Sequence, residues 1–267
     1  MASGLLAGKR GLIMGVANER SSAWGIAAAA AEHGADLAFT YQMEGFGKRL
    51  RPLAESVGSD LMVECDVAHE GAVATAFDWL AGHWSSIDFV VHALAFSDKD
   101  ELKGGYLNTS RRNFNETMMI SAFSFTEVAQ AARGIMPDGG ALLTLSYIGA
   151  QRISPNYNVM GVAKAALESS VRYLAVDLGG QNIRVNAMSA GPVKTLAGAA
   201  ITGARHIYRH SEDSAPLGRN PAIDEVGRSG FYLIWDLSGG GTGEVNFVEG
   251  GLTRVPSRLK RPNSLPG

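Results

Sequence analysis

Short, nearly uninterrupted apolar runs alternate along the chain with longer segments whose apolar positions recur every three to four residues. The runs at 9–14, 36–41, 61–65, 87–93, 141–145, 183–188 and 244–248 predict seven strands. Little polar alternation interrupts them, which is the mark of parallel strands buried on both faces. The helical period falls at 24–33, 46–57, 70–84, 113–135, 157–178 and 223–237. The second of these is predicted in spite of Pro52, and His33-Gly34 reads as a helix stop. Strand and helix in this alternation imply right-handed βαβ units. The expected fold is therefore α/β and doubly wound, a seven-stranded parallel sheet flanked by helices. No linker, repeat or shift of composition divides the 267 residues, so a single domain over 1–267 is expected.

Sheets of this kind bind ligands beyond the carboxyl ends of their strands. After the first strand come Gly15, then Ser21 and Ser22, then Gly25. The G-x-G-x-x-G fingerprint is absent. Hydroxyls and free N–H groups at a helix start can hold phosphate oxygens; a plain turn with a serine cap reads equally well. After the second strand stands Gln42, which can bond ribose hydroxyls. Glu44 lies close and no arginine follows at once, so a 2′-phosphate would be poorly received. This points to NADH over NADPH, with Lys48 and Arg49 as the opposing signal. Asp66, after the third strand, can accept from an adenine amino group or cap a helix. After the fifth strand come Ser146 and Tyr147, then Tyr157 and Lys164 on the next helix. A spacing of seven is close to two turns, so Tyr157 and Lys164 share a face. A nearby ammonium is expected to lower the phenol pKa from ~10. On its own, such a pair on a helix is more often structural than functional.

Composition narrows the classes. Lys and Arg number 24 against 26 Asp and Glu, a net charge of −2, which argues against a nucleic-acid partner. No apolar run approaches the ~20 residues that span a bilayer, and the N-terminus does not read as a signal peptide. The one cysteine, Cys65, excludes an internal disulfide and a thiol-rich metal site, so the cytoplasm is the expected compartment. His33, His69, His83, His206 and His210 are scattered without metal spacing, and His92 reads as a satisfied core histidine. The 33 glycines exceed the usual ~7% and imply tight turns and close backbone approaches. The tail at 253–267 carries Arg254, Arg258, Lys260 and Arg261 and no acid. It reads as a solvated segment, or as a contact for an anionic partner such as an acidic carrier protein or a neighbouring subunit.

Several long motifs then agree in order and spacing. They are Gly-Val-Ala at 15–17, Phe-Thr-Tyr-Gln at 39–42, Cys-Asp-Val at 65–67 and Leu-Leu-Thr-Leu-Ser-Tyr at 142–147. Pro-Asn-Tyr-Asn-Val-Met-Gly at 155–161, Arg-Val-Asn-Ala at 184–187 and Ser-Ala-Gly-Pro-Val-Lys-Thr-Leu-Ala at 189–197 follow. With these motifs the chain resembles the NADH-dependent bacterial type II enoyl-[acyl-carrier-protein] reductases. They form a divergent branch of the short-chain dehydrogenase/reductase superfamily, and the resemblance runs from Lys9 to about Gly251. Ordinary superfamily members carry Tyr-x3-Lys, whereas position 161 here is Gly and the lysine comes at Tyr-x6-Lys.

The resemblance implies a Rossmann-like fold and reduction, by NADH, of the trans-2 double bond of an enoyl thioester carried by acyl carrier protein, in fatty-acid elongation. It implies Tyr157 as the donor to the thioester oxygen, Lys164 as the ligand of the nicotinamide ribose, and Tyr147 as a second tyrosine that positions substrate or delivers a proton. For the cofactor it implies Gly15, Ser21, Ser22, Gln42, Asp66, Val67, Leu94, Lys164, Val193, Lys194, Thr195, Leu196 and Ala197. For the substrate it implies Tyr147, Tyr157 and a backbone contact at Ser97. Residues 196–212 resemble the substrate flap, with an ordinary small-residue packing helix as the other reading. A homotetramer is implied, with the helices at 113–135 and 157–178 supplying interfaces. Three departures stand out: Ala95 where many relatives carry Gly, Ala204 where an aromatic is common, and no asparagine motif of the ordinary superfamily within 110–123. Two other readings remain: an ordinary alcohol dehydrogenase or ketoreductase, against which Gly161 stands, and a non-catalytic dinucleotide sensor, which has no need of Tyr147, Tyr157 and Lys164 together.

Overall fold

All seven apolar runs form strands: β1 (Arg10–Met14), β2 (Asp36–Tyr41), β3 (Met62–Glu64), β4 (Phe89–His92), β5 (Gly140–Ser146), β6 (Ile183–Ala190) and β7 (Val245–Val248). They make one sheet in the order β3-β2-β1-β4-β5-β6-β7, parallel throughout. The computed structural model describes residues 4–193, 195 and 203–255. Lys194, Leu196, Ala197, the flap as far as residue 202 and the tail from residue 256 lie outside the described residues.

Pleating explains why the strands read as unbroken apolar runs. In β1, Leu12 and Met14 join one core while Ile13 joins the other. In β4, Val90 faces the first and Phe89 and Val91 the second. The first core lies under α3 (Ala72–Ala81), α5 (Ser124–Ala132) and α6 (Asn158–Gly179). The second lies under α1 (Ser22–Glu32), α2 (Glu44–Ser56) and α8 (Ile223–Ile234). A strand covered by both layers is mostly apolar, and its few buried polar side chains, such as His92 and Thr144, bond to partners inside the protein. Pro52 stands on the exposed side of α2, where the helix tolerates it.

Most boundaries shift by one to three residues, and three departures from the sequence pattern have a tertiary reason. The helix expected at 113–135 is divided into α4 (Arg111–Met118), a π-helical turn (Met119–Phe123), α5 and a short 3-10 turn (Arg133–Ile135). In the π turn, the Ser121 hydroxyl accepts from Phe96 N at 2.9 Å and donates to Phe96 O at 3.0 Å. The wide turn thus carries a side chain that ties down the loop after β4. The helix expected at 223–237 stops at Ile234, because the Arg184 guanidinium donates to the carbonyls of Leu233 and Trp235. The strand expected at 183–188 runs on to Ala190, where it pairs with β7.

The order of strands reverses between β1 and β4, which are neighbours in register Met14 to His92. A crevice opens at that switch point, beyond the carboxyl ends of the strands. Ala204–Ser214 (α7) lies over its far side.

Candidate active site

A cavity of about 700 Å³ occupies this crevice. Ser22 from the start of α1, the segment after β4, Tyr147 after β5, Lys164 on α6 and Val193 after β6 all line it. Strand ends supply its walls because each βα connection leaves the sheet on this side.

The cofactor edge begins at Gly15. Its φ is +98°, and a Cβ there would come within 2.2 Å of the Ala93 carbonyl oxygen. The turn therefore passes flush against the end of β4, which only glycine permits. The serines that follow divide their work. The Ser21 hydroxyl oxygen accepts from Ala17 N and Asn18 N, each at 3.0 Å, so its acceptor side shapes the turn. Its O–H is left to donate outward, as contact with a phosphate oxygen would require. Ser22 faces the cavity, and α1 opens with no capping side chain and no acid in its first turn. Those N–H groups suit an anion. Further out, Gln42 Nε2 donates to Asp66 Oδ2 at 3.1 Å, and Asp66 Oδ1 accepts from Ala68 N at 3.0 Å. The two predicted adenosine-side residues thus stand together; Asp66 holds the turn ahead of α3 and does not cap that helix, whose N-cap is Gly71. Val67 is buried in the core beside them, and Leu94 lines the cavity.

At the reacting end, Tyr157 and Lys164 do share a face and are both buried against the cavity. The Tyr147 ring meets Tyr157 edge-on, with centroids 5.0 Å apart. Lys164 Nζ donates to the Leu145 carbonyl at 2.8 Å, which leaves two of its three N–H donors for a ligand. Burial lowers the Lys164 ammonium to about 8, and Glu168 opposes that fall. Tyr157 is corrected: burial, with Tyr147 beside it, raises its phenol above the usual range, where the ammonium was expected to lower it. Burial is the largest cause, so the Tyr157 phenol is held as a neutral O–H donor near neutral pH. A Cβ at Gly161 would lie 2.8 Å from the Gly149 carbonyl oxygen. The position at which an ordinary superfamily member carries lysine is thus closed to any side chain. His92 is the satisfied core residue it was expected to be. Its ring nitrogens pair with Thr144 Oγ1 and Ser124 Oγ, both at 2.9 Å, and burial lowers it to about 3.

The profile of the enoyl-(acyl carrier protein) reductase family matches residues 15–253. The chain is 56% identical to enoyl-[acyl-carrier-protein] reductase [NADH] 2 of Rhizobium meliloti, covering 96% of each chain. It is 45% identical to the NADH enzyme of Escherichia coli, covering 94% of this chain and 96% of that one. The reductase of Anaplasma phagocytophilum, solved in complex with NAD, superposes with a TM-score of 0.93 at 52% identity, covering 97% of this chain and 98% of that one. The chain belongs to the enoyl-(acyl carrier protein) reductase family.

In this reductase one wall of the cavity rests on a loop after β4 that the sequence pattern left unassigned. Asn113 Oδ1 accepts from Asp98 N at 2.9 Å and from Ser97 Oγ at 3.3 Å, and Thr117 Oγ1 donates to Ser97 Oγ at 2.9 Å. Ser97 is therefore held in place at the cavity wall. Asn158 Nδ2 reaches the carbonyls of Glu101, Leu102 and Gly104 at 3.4, 3.1 and 3.1 Å. Asn156 and Asn158 both have positive φ, +57° and +32°, so Tyr157 sits between two left-handed residues. Asparagine is among the few side chains that tolerate this, and the Asn-Tyr-Asn run was the signal that could have found it. Met160 and Tyr208 are further cavity residues that sequence reasoning missed. Replacing Asn158 with Ala is expected to raise the KM for acyl substrate about three- to tenfold with less effect on NADH affinity. Faster hydrogen exchange over residues 101–104 accompanies it; unchanged exchange would show that other contacts hold the loop.

Proposed function

We propose that this protein reduces trans-2-enoyl groups on acyl carrier protein to saturated acyl groups with NADH, in the fatty-acid elongation cycle. The observation that carries the reading is the convergence of Tyr147, Tyr157 and Lys164 on one cavity whose other end offers Ser22 and the open start of α1. Family membership and the NADH enzymes among the relatives support it. The residues present fit a dinucleotide: a flush glycine turn, an uncapped helix start, a Gln42–Asp66 pair and a buried ammonium with donors to spare.

When bound, NADH supplies the hydride that adds to the β-carbon of the enoyl thioester. Electron density then moves to the thioester oxygen as an enolate. Tyr157 donates its O–H to that oxygen, and a neutral, buried donor loses little by staying unionised. Lys164 holds the ribose hydroxyls and places a positive charge beside the developing anion. The α-carbon then takes a proton, with Tyr147 positioned either to orient the acyl group or to deliver it. Ala95, Phe96 and Ile207 line the same cavity.

Finer features belong to the same proposal. Val193, Lys194, Thr195, Leu196 and Ala197 are assigned to the cofactor; of these, Val193 and Thr195 are described and line the cavity. The flap over 196–212 closes on the acyl chain, with Tyr208, whose hydroxyl donates to Val193 O, on its described part. The enzyme works in the cytoplasm as a homotetramer. No helix among the described residues is long and apolar enough to cross a membrane.

Loss of NADH absorbance with a trans-2-enoyl-acyl carrier protein tests the activity. Turnover of the enoyl thioester and none of the matching 3-ketoacyl thioester is expected; the reverse preference would make the protein a ketoreductase. Limited proteolysis within 203–212 tests the flap: cofactor with a substrate analogue is expected to protect it, and equal cleavage would leave a packing helix.

A further inference from the structure

Directly behind Lys164 lies a buried carboxylate that the mechanism above does not use. Glu168 is one helical turn further along α6, and Lys164, Glu168 and Ser146 are only 5%, 5% and 6% exposed. Glu168 Oε1 accepts from Ser146 Oγ at 2.6 Å, and Oε2 accepts from Gln151 Nε2 at 3.1 Å. Ser146 precedes Tyr147 in the chain and follows Leu145, whose carbonyl takes the Lys164 ammonium. One carboxylate therefore grips the strand end from which both Tyr147 and the Lys164 anchor depart. A buried charge is costly unless it is paired or answered by another charge.

We propose that Glu168 is a positioning residue for the reduction: its carboxylate keeps Lys164 cationic inside the protein and locks the Leu145–Tyr147 corner beneath the substrate. The proposal rests on the reading of Lys164 as the cation that holds the cofactor. The groups around Lys164 leave Glu168 as its counter-charge. On β4, His92 is neutral near pH 7, since burial lowers it to about 3. After β5 and at the start of α6, Tyr147 and Tyr157 are neutral phenols, both raised by burial. At the cavity rim, Asp98 is already paired with Arg112 at 3.2 Å, and Lys99 is exposed. Burial lowers the ammonium to about 8 even with Glu168 opposing it, so there is little margin above neutrality. Above that pH the lysine is neutral and one charge on the cofactor side is gone; below it the cation is present. Removing the carboxylate moves the boundary down through the physiological range.

The test is the pH dependence of kcat/KM for NADH, which reports groups of the free enzyme. It would be measured from about pH 6 to about pH 10 for wild type, Glu168→Gln, Glu168→Asp and Lys164→Met. Gln keeps the shape and an acceptor for Ser146 while removing the charge. The Glu168→Gln alkaline limb is expected to fall about one pH unit below that of wild type. The ratio of variant to wild type then drops about sixfold between about pH 6.5 and pH 8.5. Glu168→Asp retains the charge, and its limb is expected between the two. A loss by the same factor at every pH would leave Glu168 a structural residue and overturn the proposal. Should Glu168→Gln fail to fold, Glu168→Asp decides alone: a smaller downward shift supports the proposal, and a limb at the wild-type position overturns it. Lys164→Met separates the two readings. If it removes the limb while the Glu168 variants leave it unmoved, only the Glu168 proposal fails. If it leaves NADH affinity and the limb intact, the reading of Lys164 fails.

Discussion

Replacing Tyr157 with Phe is expected to lower kcat by about 10²–10³ while NADH affinity stays within about twofold. The hydroxyl is the only atom removed, and the ring keeps its edge-on packing against Tyr147. The phenol is fully buried and held neutral by that burial, so it meets the thioester oxygen as a donor and not as a base. A donor aimed where charge develops acts on the transition state far more than on the ground state. The loss should therefore fall on kcat and on kcat/KM for the acyl substrate in similar proportion. Stopped-flow or steady-state decay of NADH absorbance, with a separate NADH titration, measures both. An undiminished kcat would move the donor to Tyr147, which stands against the same cavity. A variant that lost NADH binding as well would show that the ring, not the hydroxyl, had been disturbed.

The second large effect is expected at the other end of the crevice. Gly15→Ala puts a methyl 2.2 Å from the Ala93 carbonyl oxygen and 3.2 Å from Leu94 Cδ2, at a φ of +98°. The first neighbour is backbone at the end of the central strand β4, so it cannot swing aside. Left-handed strain alone costs about 1–3 kcal/mol, and relieving the clash means parting the β1–α1 turn from β4. That turn leads to the α1 N–H groups and to Ser22, the surface offered to the pyrophosphate. We expect a melting temperature about 5–10 °C lower and NADH affinity reduced at least about tenfold. Differential scanning fluorimetry and NADH fluorescence titration check the two readings separately. A variant that melted early yet bound NADH normally would place the pyrophosphate away from this turn.

Much of this protein is legible in one dimension because the relevant physics is local and repetitive. A strand shared by two cores is apolar on both faces with few exceptions, so seven short apolar runs sufficed to predict the strands. Tyr157 and Lys164 share a face because the period of the helix is fixed. Gly161 marks the family because a residue type and a spacing are sequence facts; the structure adds that Gly149 leaves it no room.

What the sequence could not contain is set by contacts between distant segments. The π turn at Met119–Phe123 forms where Ser121 clasps Phe96, 25 residues away. The end of α8 is decided by Arg184, 49 residues from Leu233. The ionisation of Tyr157 was misjudged from sequence for a related reason. A neighbouring ammonium can be inferred from spacing, but the depth of burial that overrides it cannot. Ser21 shows a related limit: its residue type suits a phosphate, but that its oxygen also accepts from Ala17 N and Asn18 N to shape the turn is visible only in the structure. By itself the sequence determined the elements and their parallel assembly, since these follow from periodicity; it singled out Tyr147, Tyr157 and Lys164 only through motifs that resemble a known family. The tertiary structure alone decided which of those side chains are desolvated, which are already bonded, and what holds the loop after β4. Burial and long-range hydrogen bonds exist only once the segments have met.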